Sequence, residues 1–113
     1  FCEETLTKIG FACHRETFRE AGAHDTENMY ARWGKEGKNL CFAGHVDVVA
    51  PGSGWTHDPF DPIVKDGMLY GRGASDMQAA IACFMVAAGR YLKSHTPKGS
   101  ISLLLTCDEE GPA

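Results

Sequence analysis

No stretch of the 113 residues approaches the run of about 20 apolar side chains that a membrane-spanning helix needs. Basic clusters are missing too: Asp and Glu outnumber Lys and Arg by 15 to 11, a net charge of −4. That balance offers no footprint for nucleic acid or for an anionic membrane surface. No two cysteines stand in a C-x-x-C spacing, and their number is odd: Cys2, Cys13, Cys41, Cys83 and Cys107. This excludes a zinc knuckle or disulfide framework and predicts buried free thiols in a reducing, cytoplasmic compartment. Internal repeats and low-complexity tracts are absent. So are an initiator Met, a signal-peptide pattern and a start signal for the first helix. The expectation is a piece of a larger protein: one incomplete domain over residues 1–113.

What is present is an ordinary globular composition, 43% hydrophobic and 23% charged, enough for one core. Leu6 and Ile9 among Glu, Thr and Lys predict a helix over 1–9, ended by Gly10. Strands are expected over 11–18 and 27–33, with a polar turn between them. The segment 39–49 is apolar on both faces and predicts a central, buried strand. Ile63 to Tyr70 reads as a hairpin, because Asp66-Gly67 supplies the positive φ of a tight turn. A helix from about Met77 to Lys93 carries a core stripe of Met77, Ala80, Ile81, Phe84, Met85, Ala88, Tyr91 and Leu92. Ser100 to Cys107 is a second buried strand. Buried strand, long helix and buried strand define an α/β fold: a mixed, largely parallel central sheet layered with helices.

Chemistry gathers at three places. His45 and Asp47 stand two apart in the 39–49 strand, so their side chains point to one side and can touch. A carboxylate on one imidazole nitrogen fixes the tautomer and frees the other as metal ligand or general base. A satisfied structural His is the alternative. Asp76 sits where the long helix begins, as an N-cap or as an anionic ligand for a cation. Gly71-Arg72-Gly73 suggests a phosphate loop, but its last position is Asp76, which repels phosphate, and nucleotide binding is excluded. Asp108-Glu109-Glu110 reads either as a solvated turn or as part of a site, since it follows a buried strand and open α/β sheets hold their sites beyond the carboxyl ends of their strands. In an extended segment Glu109 and Glu110 point opposite ways, one toward metal and one toward substrate water. Mixed oxygen and nitrogen donors suit zinc or another divalent ion in a hydrolytic site.

Four ordered motifs, from Gly44-His45-Val46-Asp47 through Trp55…Asp58-Pro59-Phe60 and Gly67–Met77 to Asp108–Gly111, resemble the M20 family of zinc-dependent amidohydrolases and peptidases. The resemblance runs through nearly the whole chain from Asn39 onward. It implies a partial M20-type catalytic domain, the dimerisation or lid domain and the C-terminal part of the catalytic domain being absent. It implies two Zn2+ per full-length subunit, with Co2+ or Mn2+ as substitutes. His45 would ligate one metal, Asp76 would bridge both ahead of an often cis peptide bond, and Glu110 would ligate the second. Asp47 would orient His45, and Glu109 would be the general base.

Asn39–His45 and Lys98–Ala113 resemble the family branch that hydrolyses N-succinyl-LL-2,6-diaminopimelate to succinate and LL-diaminopimelate in bacterial lysine biosynthesis. Acetylornithine deacetylases and carboxypeptidases share most of these residues. A non-catalytic interaction module on the same fold is the reading from another class, and the retention of all five site residues argues against it. The implied partner is a small N-acyl amino acid, with no nucleic acid and no membrane, and a homodimer for the full-length protein. Val46, Ala50 and Gln78-Ala79 depart from the family's usual Thr, Pro and Lys-Gly without touching a ligand. Each metal should take one further ligand from later in the chain. The 113 residues alone are therefore expected to bind zinc weakly and to hydrolyse nothing.

Overall fold

Gly10 ends the first helix where the sequence places the stop. In the computed structural model, which describes residues 1–111, α1 (Cys2–Ile9) meets Gly10 at φ 103°, and the Gly10 N–H donates to the Leu6 and Thr7 carbonyls. That left-handed φ favours glycine because it has no Cβ to clash. Pro112 and Ala113, the end of the last resembling motif, lie outside the described residues. β1 (Ala12–Phe18) and β2 (Thr26–Trp33) form an antiparallel hairpin, in register from Ala12–Arg32 to Phe18–Thr26. β3 (Asn39–His45) comes next. The small hairpin β4 (Ile63–Lys65) and β5 (Met68–Tyr70) then turns at Asp66, φ 51°, and Gly67, φ 76°. These two positive angles are what a two-residue hairpin requires. α2 (Gln78–Ser94) crosses to β6 (Ser100–Thr106).

The main sheet has the order β1-β2-β6-β3. It is mixed, as expected, but not largely parallel: among the described residues β1–β2 and β2–β6 are antiparallel and only β3–β6 is parallel. The short turn from β1 to β2 can only reverse the chain. The crossover through α2 is long enough to return β6 alongside β3.

β3 is also not central. It pairs with β6 on one side and stands at the sheet edge among the described residues, with Leu40 65% exposed. The central place belongs to β6, where Ser100, Ile101, Ser102, Leu103 and Leu105 are buried. Polarity patterning reports which faces are apolar and does not say which strand has a neighbour. β3 ends at His45, short of the expected 49, after the Val46 N–H makes one more bond to the Thr106 carbonyl at 2.9 Å.

Ile81, Met85 and Ala88 of α2 pack on the sheet face with Leu6, Phe11, Met29, Ala31, Ile101, Leu103 and Leu105. Phe84 stacks on Phe42, ring centroids 4.8 Å apart. The expected core stripe is narrower in fact, since Tyr91 and Ala80 are exposed. The thiols are free but not fully buried: Cys41 on the edge strand and Cys83 on α2 are exposed. Among the described residues no helix is long and apolar enough to cross a membrane.

Candidate metal centre

The parallel pairing of β3 and β6 decides where the site lies. His45 is the last residue of β3 and faces Thr106, the last of β6, so the segments beyond the two strands emerge at one end of the sheet. The entry to α2 reaches the same point because Gly44 lacks a Cβ. A Cβ there would lie 3.1 Å from the side chains of Ile81 and Met77. The Asp76-Met77 peptide bond is cis, in line with the family resemblance.

Asp76 does not cap α2, which has no side-chain N-cap bond. Its carboxylate turns to His45, with Oδ1 3.1 Å from Nε2. The acidic loop is not extended either. The chain bends at Glu109 and Glu110, after Asp108 at φ 75°, so the two side chains are not forced apart as in an extended segment. Glu109 Oε2 is 3.8 Å from His45 Nε2. The ligand atoms of His45, Asp76 and Glu110 all lie within 4.8 Å of one another.

Asp47 is placed differently from the simple orienting role. The His45 Nδ1–H donates to the Asp47 backbone carbonyl at 3.2 Å, while the nearer carboxylate oxygen stays 3.6 Å away. Asp47 Oδ2 instead accepts the Glu110 N–H at 2.9 Å. One residue therefore ties the exit of β3 to the loop that carries both glutamates. Its other oxygen, Oδ1, is buried without a hydrogen-bond partner.

Both imidazole nitrogens thus face acceptors: a carbonyl at Nδ1 and two carboxylates at Nε2. Two protons satisfy that arrangement, or one proton and a cation. Burial pushes the His45 pKa down. The Asp47 carbonyl, the Asp76 hydrogen bond and the charges of Glu109 and Asp47 outweigh it, and the value is raised. For Asp47 burial pushes up, but the N–H groups of Glu110 and Glu109 and the His45 charge prevail and lower it. Burial, with the charges of Asp47 and Glu27, raises Cys107 and keeps it a neutral thiol beside the site. The donor set of one imidazole nitrogen and two carboxylates fits a divalent ion of the zinc type.

These shifts make stability depend on pH for the protein held in chelator. The folded state binds the His45 proton more tightly than the unfolded chain, whose imidazole titrates near the ordinary 6.5. This stabilisation is full below that value and is lost as pH rises through the higher folded value. The Asp47 contribution is present above the ordinary 3.8 and is lost only as pH falls through the lower folded value. The melting temperature in chelator is thus expected to drop as pH rises above the ordinary imidazole value of 6.5. The His45→Asn variant should lack this component; equal slopes for the two proteins would contradict the assignment. Zinc held by His45 would reverse the sign, because the ring would have to give up its proton to ligate.

Two further residues brace the site, and local sequence pattern marks neither as functional. Gln78 Nε2 donates to the Val46 carbonyl at 3.1 Å, pinning the start of α2 to the exit of β3. Asn28 Oδ1 accepts the Cys107 N–H at 3.0 Å. The one signal at Gln78 is its departure from the family's Lys. Asn28 lies 79 residues from its partner, with no local signal at all.

A mixed α/β sheet with a histidine and carboxylates gathered at the ends of parallel strands defines a candidate metal-binding domain. The chain belongs to peptidase family M20/M25/M40, whose model matches residues 41–113. It is 52% identical over 114 residues to a succinyl-diaminopimelate desuccinylase of Rhodospirillum centenum, a match covering 98% of this chain and 30% of that protein. Among solved structures it is similar to an M20 family metallo-carboxypeptidase from Sulfolobus solfataricus, with TM-score 0.76 and 28% identity over 95% of this chain and 24% of that one. Human carnosine dipeptidase 1 shares the fold, with TM-score 0.82 and 24% identity over 97% of this chain and 25% of that one. The chain spans about 30% of the length of the curated relatives it matches.

Proposed function

We propose that residues 1–113 are the N-terminal, metal-binding part of the catalytic domain of a longer di-zinc amide hydrolase. Its lid or dimerisation domain and the rest of the catalytic domain lie outside them. Its substrate is N-succinyl-LL-2,6-diaminopimelate, cleaved to succinate and LL-diaminopimelate in the cytoplasm by a homodimer. The observation that carries the reading is His45 Nε2, faced at 3.1 Å by Asp76 and at 3.8 Å by Glu109, with Glu110 in the same group. Identity of 52% and 53% to proteins named succinyl-diaminopimelate desuccinylase supports the acyl group.

In this reading His45, Asp76 and Glu110 hold the metal, and Asp47 fixes the backbone under Glu110. Bound zinc lowers the pKa of water and polarises the amide carbonyl. Glu109 is 59% exposed and 3.8 Å from His45 Nε2, which suits a general base. It takes a proton from the attacking water, whose oxygen bonds to the amide carbon. The C–N bond then breaks, and Glu109 returns the proton to the leaving amine.

The test is to load the full-length protein with zinc and offer N-succinyl-diaminopimelate beside N-acetylornithine and a dipeptide. Succinate release as the fastest reaction is the expected result. Faster deacetylation or peptide cleavage would move the chain to the deacetylase or carboxypeptidase branch. Absence of both metal uptake and turnover would leave a non-catalytic interaction module. Residues 1–113 alone should bind zinc weakly and turn over nothing.

A further inference from the structure

The acidic loop leaves the sheet at a place where backbone pairing runs out. The β2–β6 register ends at Met29–Leu105, and β6 itself ends at Thr106. On the β3 side the Thr106 carbonyl still receives the Val46 N–H at 2.9 Å. On the β2 side the Cys107 N–H is left beyond the last ladder pair in a half-buried position. A donor in that position costs stability unless it finds an acceptor. Asn28 supplies one from its side chain, at 3.0 Å. Its own backbone is fixed opposite Glu16 in the β1–β2 ladder, so the acceptor stands on a strand paired over most of its length.

One residue later Asp108 takes φ 75°, and two residues after that the Glu110 N–H is held by Asp47 Oδ2. The loop carrying Glu109 and Glu110 is therefore fastened at both ends by side chains from the flanking strands and their exits. We infer that Asn28 is a positioning residue for the metal-binding and proton-transfer carboxylates, acting through the Cys107 N–H. The inference rests on the hydrolase reading above and deepens it. The Asn28 side chain acts on the loop backbone at Cys107 and not through a hydrogen bond to His45, Asp76 or Glu110. Its effect is to fix where the loop starts, so that Glu109 and Glu110 meet His45 without first searching for their place.

The test uses the zinc-loaded full-length protein. Asn28→Ala and the near-isosteric Asn28→Leu remove the acceptor, while Asn28→Asp keeps it. Losses of about 10- to 100-fold in zinc affinity or kcat are expected for whichever acceptor-less variant folds, the range found when partners of metal ligands are removed. KM should change little, and Asn28→Asp should recover most of the loss. Leu6→Val, a core variant beneath α1, serves as control: a comparable drop in Tm should leave affinity and kcat alone. Wild-type affinity and kcat in Asn28→Leu would overturn the inference. So would an Asn28→Asp no better than Asn28→Ala, or equal losses in Leu6→Val. A wild-type protein that takes up no zinc and cleaves no N-acyl substrate overturns the hydrolase reading along with it. Wild-type function with silent Asn28 variants overturns this inference alone.

Discussion

The Glu109→Gln variant of the full-length protein is expected to keep its zinc and lose about 10²–10⁴-fold in kcat. The substitution preserves shape and removes the group proposed to accept the proton. His45, Asp76 and Glu110, the three residues whose donor atoms lie within 4.8 Å of one another, stay in place. Metal content by elemental analysis should therefore match wild type. KM should move little, because an interaction made mainly in the transition state is the one being removed. The neighbouring Glu110→Gln should behave in the opposite order, losing metal first and activity as a consequence. If Glu109→Gln came out of chelator-free buffer without zinc, the two glutamates would have to exchange roles. If it kept full kcat, the base would lie elsewhere.

Asp76→Ala should have the second large effect, and it separates two readings of the same residue. As a ligand, Asp76 is one of a small set sharing a binding free energy of the order of 10–16 kcal/mol seen in structural zinc sites. An even share among about four ligands is about 2.5–4 kcal/mol, or about 10²–10³-fold in affinity. As a helix cap, its loss would instead cost about 1 kcal/mol of stability with no metal present. The side chain is 73% exposed and makes no capping bond to α2. Zinc affinity is thus expected to collapse while the Tm in chelator barely moves. The reverse pattern would return Asp76 to the cap.

Much of the fold is legible in the residues. Gly10, Asp66-Gly67 and the α2 stripe specify local geometry through φ preference and periodicity, and the structure obeys them. His45 and the acidic triplet fall at one end of the sheet as soon as β3 and β6 run parallel. Strand order is not legible. β3 and β6 are similar apolar runs, and only pairing shows that β6 has two neighbours and β3 one among the described residues. Nor is the convergence of Glu109 and Glu110, because the chain bends at both residues after a left-handed Asp108, a non-glycine residue whose φ nothing local announces. Asn28 and Asp47 Oδ2 act over separations of 79 and 63 residues, where sequence spacing carries no geometry.

The site draws on three stretches of chain, and His45 and Asp76 alone are 31 positions apart. A cation gripped by all three closes two long loops at once, as a pair of reversible cross-links would. Closing a loop removes disorder from the unfolded chain, and the cost of doing so grows only slowly with its length. Loading the metal should then raise stability with ion concentration, by mass action on the folded form alone. The ion that would serve the chemistry would also be a buckle, adding to the Gln78 and Asp47 hydrogen bonds that already hold α2 and the acidic loop to the end of β3.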